Sequence, residues 1–457
     1  MYTVRQVVVP FSGEGAGMAD LTWGQVSFWQ GMADGGRSLT MGGATPVPPG
    51  VTVQRIADDL GYLVGRHQAL RTRLSMTDDP FRPKQVCSTD GEVVLEVVDV
   101  TDEDPAVVAD TLRISYEERK FDYEHEWPVR MAVIVTGGVV THMVAVYLHL
   151  AIDASALEVL AADLAARDLA AAPDPITAMQ PLEQAAQQRT AAARRASDLS
   201  LRHLERVLRT VSPTRFGPPK YGGDMAFRVL RYHSPATEAA IQVVATREGT
   251  NTSSVLLACF AVGLARFTGS NPVLAMLLVS NRFRPGFAAT VSPVVQMSPY
   301  MIDVADATLS EAVNRATASV FNTYKTAYYD PFLQDEVMDR VNAERGVDVD
   351  WSCFYNDRRM SDRGTRSGPL PTPEEIRAAL PRSRYEWEYE PDIPRRTLYV
   401  NVGEAEGAIE FVMSADTRYF SEQDMVDVLR GMEMVAVEAA LDPSTPTGVT
   451  ESVATPA

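Results

Sequence analysis

Residues 147–160 read YLHLAIDASALEVL, and this stretch joins the end of an apolar, β-rich run to the start of an amphipathic helix. Upstream, MAVIVTGGVVTHMVAVYLHL from Met131 to Leu150 divides around Gly137 and Gly138 into two β-rich halves, the pattern of a hairpin. Downstream, ASALEVLAADLAARDLA places apolar residues at helical spacing. His149 therefore closes a strand, and Asp153 stands where the helix begins, at the kind of turn where α/β proteins commonly meet ligands. The same residues have a structural reading. Asp153 suits an N-cap, and Ser155 with Glu158 matches an S-x-x-E capping box, so both readings stand at this point.

Working outward, VTVQRIADDLGYLVGRHQALRTRLS at 51–75 predicts a helix feeding a strand, and GEVVLEVVDV at 91–100 predicts another strand. Residues 172–180, APDPITAMQ, lose periodicity and gain proline, which predicts a linker. The stretch from Pro181 to Thr210 predicts one connecting helix, with Arg194, Arg195, Arg202, Arg206 and Arg209 forming a solvated basic face that could alternatively meet an acidic partner. Beyond it the logic repeats: a strand near 227–233, helices over 234–247 and in SSVLLACFAVGLARF, a strand in PVLAMLLVSN, a helix from Leu309, two final strands and a last helix. The division expected is an N-terminal lobe over 1–175, a connecting segment over 176–212, a C-terminal lobe over 213–442 and a disordered tail over 443–457. Within the second lobe, the charged, Pro- and Gly-containing stretch 357–383 reads as a mobile excursion.

Composition narrows the function classes. At 457 residues the chain exceeds one compact core, and 46% hydrophobic with 22% charged residues excludes disorder throughout. A formal net charge of −18 repels phosphate backbones and anionic membranes, which argues against a nucleic-acid or membrane partner. Cys87, Cys259 and Cys353 are far apart and form no C-x-x-C pair, which argues against a disulfide framework and a zinc knuckle and fits a reducing cytoplasm. The N-terminus, MYTVRQVVVPFSGEG, lacks the apolar core of a signal peptide, and the longest apolar runs fall short of a bilayer span. No histidine has a metal-ligand companion at useful spacing, and no nucleophile elbow surrounds Ser253 or Ser280.

Several segments, in order, carry a family likeness. LTWGQVSFW at 21–29, RHQALRTRL at 66–74, FDYEHEWPVR at 121–130, VLLACFAVGLARFTG at 255–269, LLVSNRFRPG at 277–286 and VSPVVQMSPYMIDV at 291–304 resemble conserved segments of the condensation domains of non-ribosomal peptide synthetases. These domains belong to the chloramphenicol acetyltransferase-like acyltransferase superfamily. The resemblance implies an α/β fold of the α+β sandwich type, with two acetyltransferase-like lobes in a V and a tunnel between them.

Placed on this sequence, the family's H-H-x-x-x-D-G motif falls on Leu148 to Ala154. The resemblance implies that His149 is the catalytic residue and that Asp153 supports the site by pairing with Arg282. Leu148 replaces the first histidine, Ala154 the glycine, and Gln296 with Met297 an Asn-Thr pair; Leu148, Ala154 and Gln296 are expected along the tunnel, and the 357–383 excursion is expected to bridge the lobes and govern access to it. The implied activity is that of a cytoplasmic enzyme acting in trans. It would transfer an acyl or aminoacyl group from the thioester of an acyl or peptidyl carrier protein to an amine or hydroxyl acceptor, either a small molecule or itself carrier-bound. No tightly bound cofactor or metal is implied, since phosphopantetheine would arrive on the carrier. The alternative implied by the departures is a catalytically degenerate domain that recruits carrier proteins or tailoring enzymes.

Overall fold

The computed structural model describes residues 2–77, 79–168, 174–223, 226–359, 368–388 and 396–451. They divide into two α/β units: Met1–Ser197 with Ser280–Gln296 and Tyr328–Phe332, and Asp198–Val279 with Met297–Ala327 and Leu333–Ala457.

In the first unit the elements run β1 (Tyr2–Ser12), β2 (Gly17–Asp20), α1 (Trp23–Gly35), β3 (Thr40–Pro46), α2 (Val53–Arg66), β4 (Thr72–Ser75), β5 (Lys84–Cys87), β6 (Asp90–Val100), α3 (Pro105–Glu118), β7 (Val129–Thr136), β8 (Val139–Leu148), α4 (Ala154–Ala165) and α5 (Pro181–Gln188). The main sheet has the order β1-β6-β7-β8-β3, and β2-β5-β4 form a small second sheet. Only β6 and β7 pair in parallel in the main sheet, because α3 lies between them as a crossover. Both faces of its central strands are covered. Val93, Leu95, Val97, Met131 and Val133 pack with α2 and α4, while Val98, Val100, Ala132, Ile134, Val144 and Val146 pack with Val108, Ala109 and Tyr116 of α3. This two-sided burial is why residues 131–135 of β7 read as a continuous apolar run.

The chain continues through α6 (Ala191–Thr210). The second unit is built from β9 (Phe227–Ser234), α7 (Pro235–Glu248), α8 (Thr252–Thr268), β10 (Val273–Ser280), β11 (Val295–Ile302), α9 (Leu309–Lys325), α10 (Pro331–Arg345), β12 (Cys353–Asp357), α11 (Pro373–Ala379), β13 (Arg384–Glu388), β14 (Leu398–Ala405), β15 (Ala408–Asp416) and α12 (Glu422–Leu441). Its sheet runs β11-β10-β12-β14-β15-β9-β13, parallel through β10, β12 and β14 and antiparallel from β14 to β13. Helix α8 is buried from Thr252 to Ala265, so it is apolar all round and forms the centre of this core. Among the described residues no single helix is long and apolar enough to cross a membrane; α7 and α8 pass that test only as a pair bent by 110°.

The domain boundaries expected from the sequence need three corrections. The first unit does not end at 175. Gln85 donates to the Pro181 carbonyl and the Trp23 amide to Gln188, which anchors α5, while the Met179 amide bonds to Gly286 and draws the 280–296 segment into this unit. The single connecting helix is instead two, α5 and α6, interrupted at Arg189 and Thr190. The stretch 443–451 is no loose tail: the Leu309 amide bonds to Thr445, Asp306 to Val449 and Thr447 to Ala307, with Thr447 and Val449 buried. Residues 452–457 lie outside the described residues. So do 360–367 of the expected excursion; its later part, 368–383, is built into the second unit, with a Thr372/Glu375 capping box starting α11 and Ile376 buried.

Candidate active site

The turn after β8 is shaped by backbone bonding. Strand β8 pairs with β3 as far as Leu148 opposite Thr40; the His149 amide then bonds to the Leu39 carbonyl at 2.9 Å and Ala151 to Leu148 at 2.9 Å. Ile152 is fully buried and Ala151 nearly so, which holds the turn against the core and leaves His149 partly exposed. Helix α1 braces the other side, where Gln25 donates to the Leu150 carbonyl at 3.3 Å. Gln25 also closes a capping box with Thr22, so one side chain both starts α1 and fastens it to the turn.

His149 Nδ1 lies 2.7 Å from the Ile152 carbonyl. A carbonyl only accepts, so Nδ1 carries the proton, and in the neutral ring Nε2 holds a lone pair. Nε2 has no protein partner among the described residues, nor is it one of the sealed, unpaired polar atoms. The Phe28 ring stacks on the imidazole, with centroids 3.9 Å apart and planes 24° off parallel. Burial pushes the His149 imidazole below the usual 6.5; the hydrogen bond to Ile152 and the charge of Asp153 oppose this without outweighing it. The group is thus a neutral, orientated base near pH 7.

Asp153 is the N-cap of α4, accepting from the Ala156 amide at 2.9 Å, so Ser155 lies inside the helix and the Ser155/Glu158 capping box does not form. The same carboxylate takes a hydrogen bond from Arg282 at 2.5 Å and one from the Val294 amide at 3.2 Å. Arg282 also donates to the Thr290 carbonyl at 2.8 Å. The structure thus brings Asp153 and Arg282 together beneath the turn, both well buried, and neither touches the open nitrogen of His149.

The three residues expected along the tunnel separate. Leu148 is 5% exposed, in an apolar cluster with Leu21, Val26, Trp29, Met32, Leu74, Phe121 and Leu150, beside a void of about 20 Å³ with room for a single water. Gln296 is 2% exposed, and both ends of its amide are used by the backbone of Tyr329. Both side chains are thus held by packing or backbone bonds within the first unit, while Ala154, at the start of α4, is exposed. Sequence reasoning missed Phe28, although it lies within LTWGQVSFW, because a stacking contact across 121 positions leaves no local pattern.

The other candidates have structural partners. His67 is buried with Nε2 at 2.8 Å from Asp163, and Arg209 pairs with Glu205 and Glu344. All three cysteines are buried and free, and burial pushes the Cys259 thiol up to about 12. Among the described residues no group of three or more His, Cys, Asp and Glu could hold a metal ion.

The family model described as Condensation domain matches residues 208–455, more than half of the chain. No curated relative matches the sequence. Among solved structures, the SgcC5 protein from Streptomyces globisporus is 18% identical with a TM-score of 0.67, over 93% of this chain and 99% of that one. The X-domain of teicoplanin biosynthesis, solved in complex with OxyB, is 16% identical with a TM-score of 0.69, over 96% and 97%. The condensation domain of the Monacolin K polyketide synthase MokA is 14% identical with a TM-score of 0.70, over 95% and 100%. At these identities the likeness is one of fold.

Proposed function

The chain belongs to the condensation-domain family, and from that premise we propose that it is a trans-acting enzyme that transfers a carrier-bound acyl or aminoacyl group to an amine or hydroxyl acceptor. The observation that carries this reading is the imidazole of His149, neutral, with Nδ1 tied to Ile152 and Nε2 unpaired. In the reaction, Nε2 takes the proton of the acceptor N–H or O–H as its nitrogen or oxygen attacks the thioester carbonyl. A C–N or C–O bond forms, the C–S bond breaks, and the proton leaves with the carrier's thiol. A thioester is already activated, so alignment and management of one proton are the main tasks. Phosphopantetheine belongs to the carrier as part of the substrate, and no cofactor resident on this chain is invoked.

The test is product formation from acyl-loaded carrier and a panel of acceptors, followed by mass spectrometry. His149→Ala should lower turnover by about 10²–10⁴ while leaving the fold intact. Unchanged turnover in that variant would remove His149 from the mechanism. The second reading is a domain that recruits a carrier protein or tailoring enzyme. It is favoured by Leu148, an apolar packing residue where the family has its first histidine, and by likeness to a domain solved with OxyB. Carrier binding without turnover across the acceptor panel would select it.

A further inference from the structure

A cavity of about 540 Å³ opens in the second unit beside β13, far in sequence from His149, and its size lies in the ordinary range of ligand pockets. Its floor is Glu433 of α12, a carboxylate only 4% exposed. Three neutral hydroxyls donate to it: Tyr232 at 2.8 Å, Ser234 at 2.5 Å and Ser383 at 2.5 Å. Among the described residues no cation comes within ion-pair distance of it. A carboxylate has about four acceptor positions, so one remains for a further donor. A nearly buried carboxyl group held only by neutral hydroxyls, and lining an open cavity, offers that remaining position to a cationic donor.

The rim has the opposite character. Arg384 and Arg430 both line the cavity, are exposed, and have no carboxylate partner among the described residues. Two unpaired guanidiniums are notable on a chain of net charge −18, where acidic residues outnumber basic ones. Between floor and rim the wall is apolar, with Tyr385 44% and Met434 40% exposed and the Arg430 guanidinium 5.9 Å from the Tyr385 ring centroid. We propose that this cavity binds a small zwitterion with free ammonium and carboxylate groups, an α-amino acid or short peptide, its ammonium on Glu433 and its carboxylate on Arg384 and Arg430. An apolar side chain of the ligand rests on Tyr385 and Met434. Guanidiniums suit the carboxylate because their planar fork can bind both oxygens.

Calorimetric titration of the full chain tests this with four probes: L-phenylalanine, the dipeptide Phe-Leu, 3-phenylpropionate, which lacks the ammonium, and phenethylamine, which lacks the carboxylate. Saturable binding of phenylalanine or the dipeptide is expected, with both truncated probes weaker by about tenfold or more. The tighter of the first two identifies free amino acid or peptide as the source. Arg430→Ala, a change at an exposed position that spares the fold, and Glu433→Gln should each weaken binding by about tenfold or more, whereas Arg206→Ala should not. If Glu433→Gln fails to fold, Arg384→Ala takes its place. Absence of saturable binding, equal binding of 3-phenylpropionate, or wild-type binding by Arg430→Ala overturns the proposal.

Discussion

One hydrogen bond at His149 decides which ring nitrogen can accept a proton. Because Nδ1–H is spent on Ile152, a base can work only through Nε2, and only in the neutral ring. For the proposed transfer this sets the expected pH dependence: kcat/KM should hold above the imidazole's value and fall about tenfold per unit below it, with burial moving that value under 6.5. A rate profile whose acid limb lies clearly above 6.5 would contradict a buried, neutral base. Phe28 stacks on the imidazole, so if His149 acts as proposed, Phe28→Ala should lower kcat by about tenfold or more with little change in KM, since a misplaced base costs rate rather than binding. Beneath the turn, Asp153→Ala or Arg282→Met should cost about 3–5 kcal/mol by denaturant unfolding, because either change strands a buried charge. At this scale the sequence marked His149 and Asp153 through local pattern. It could link Asp153 to Arg282, 129 positions away, only through family resemblance, and it carried no sign of Phe28.

Elements of this chain were legible where their periodicity is strong and ambiguous at their ends. The hairpin β7–β8, the strand β6 and the buried helix α8 all fall where apolar patterning places them. The start of α4 does not follow from pattern alone, since Asp153 and Ser155 are both chemically suited to cap it. The structure selects Asp153, whose carboxylate also serves Arg282 and Val294, so tertiary bonding outvotes the local motif. Ser155→Ala should therefore change stability by less than about 0.5 kcal/mol, against the large loss at Asp153. Helix α1 is held equally closely: a Cβ on Gly24 would stand 2.0 Å from the Pro293 carbonyl oxygen. Since backbone cannot yield as a flexible side chain can, Gly24→Ala should destabilise by about 1–3 kcal/mol, read as a fall in the unfolding midpoint. An unchanged midpoint would mean that the 293–294 segment shifts freely.

For the molecule as a whole, two α/β units were foreseeable from length, composition and repeated strand-helix order, but the chain's division between them was not. Residues 280–296 return to the first unit after the chain has entered the second, and the 443–451 segment folds back on α9. Truncation after Leu441 removes the partners of Leu309, Asp306 and Ala307 and the Thr447 carbonyl to which Arg266 donates, so a lower melting temperature is expected in a calorimetric scan; an unchanged one would show the segment to be dispensable. The sequence by itself determined the two α/β halves and the strand-turn-helix that carries His149, since periodicity, charge and turn chemistry act over a few neighbouring residues. Tertiary structure alone decided that Nε2 is the nitrogen without a partner among the described residues, that Leu148 and Gln296 are buried, and that Glu433, Arg384 and Arg430 line one cavity. Those outcomes depend on side chains brought together from distant segments, and the closing of such contacts is a property of the packed core, not of any local stretch.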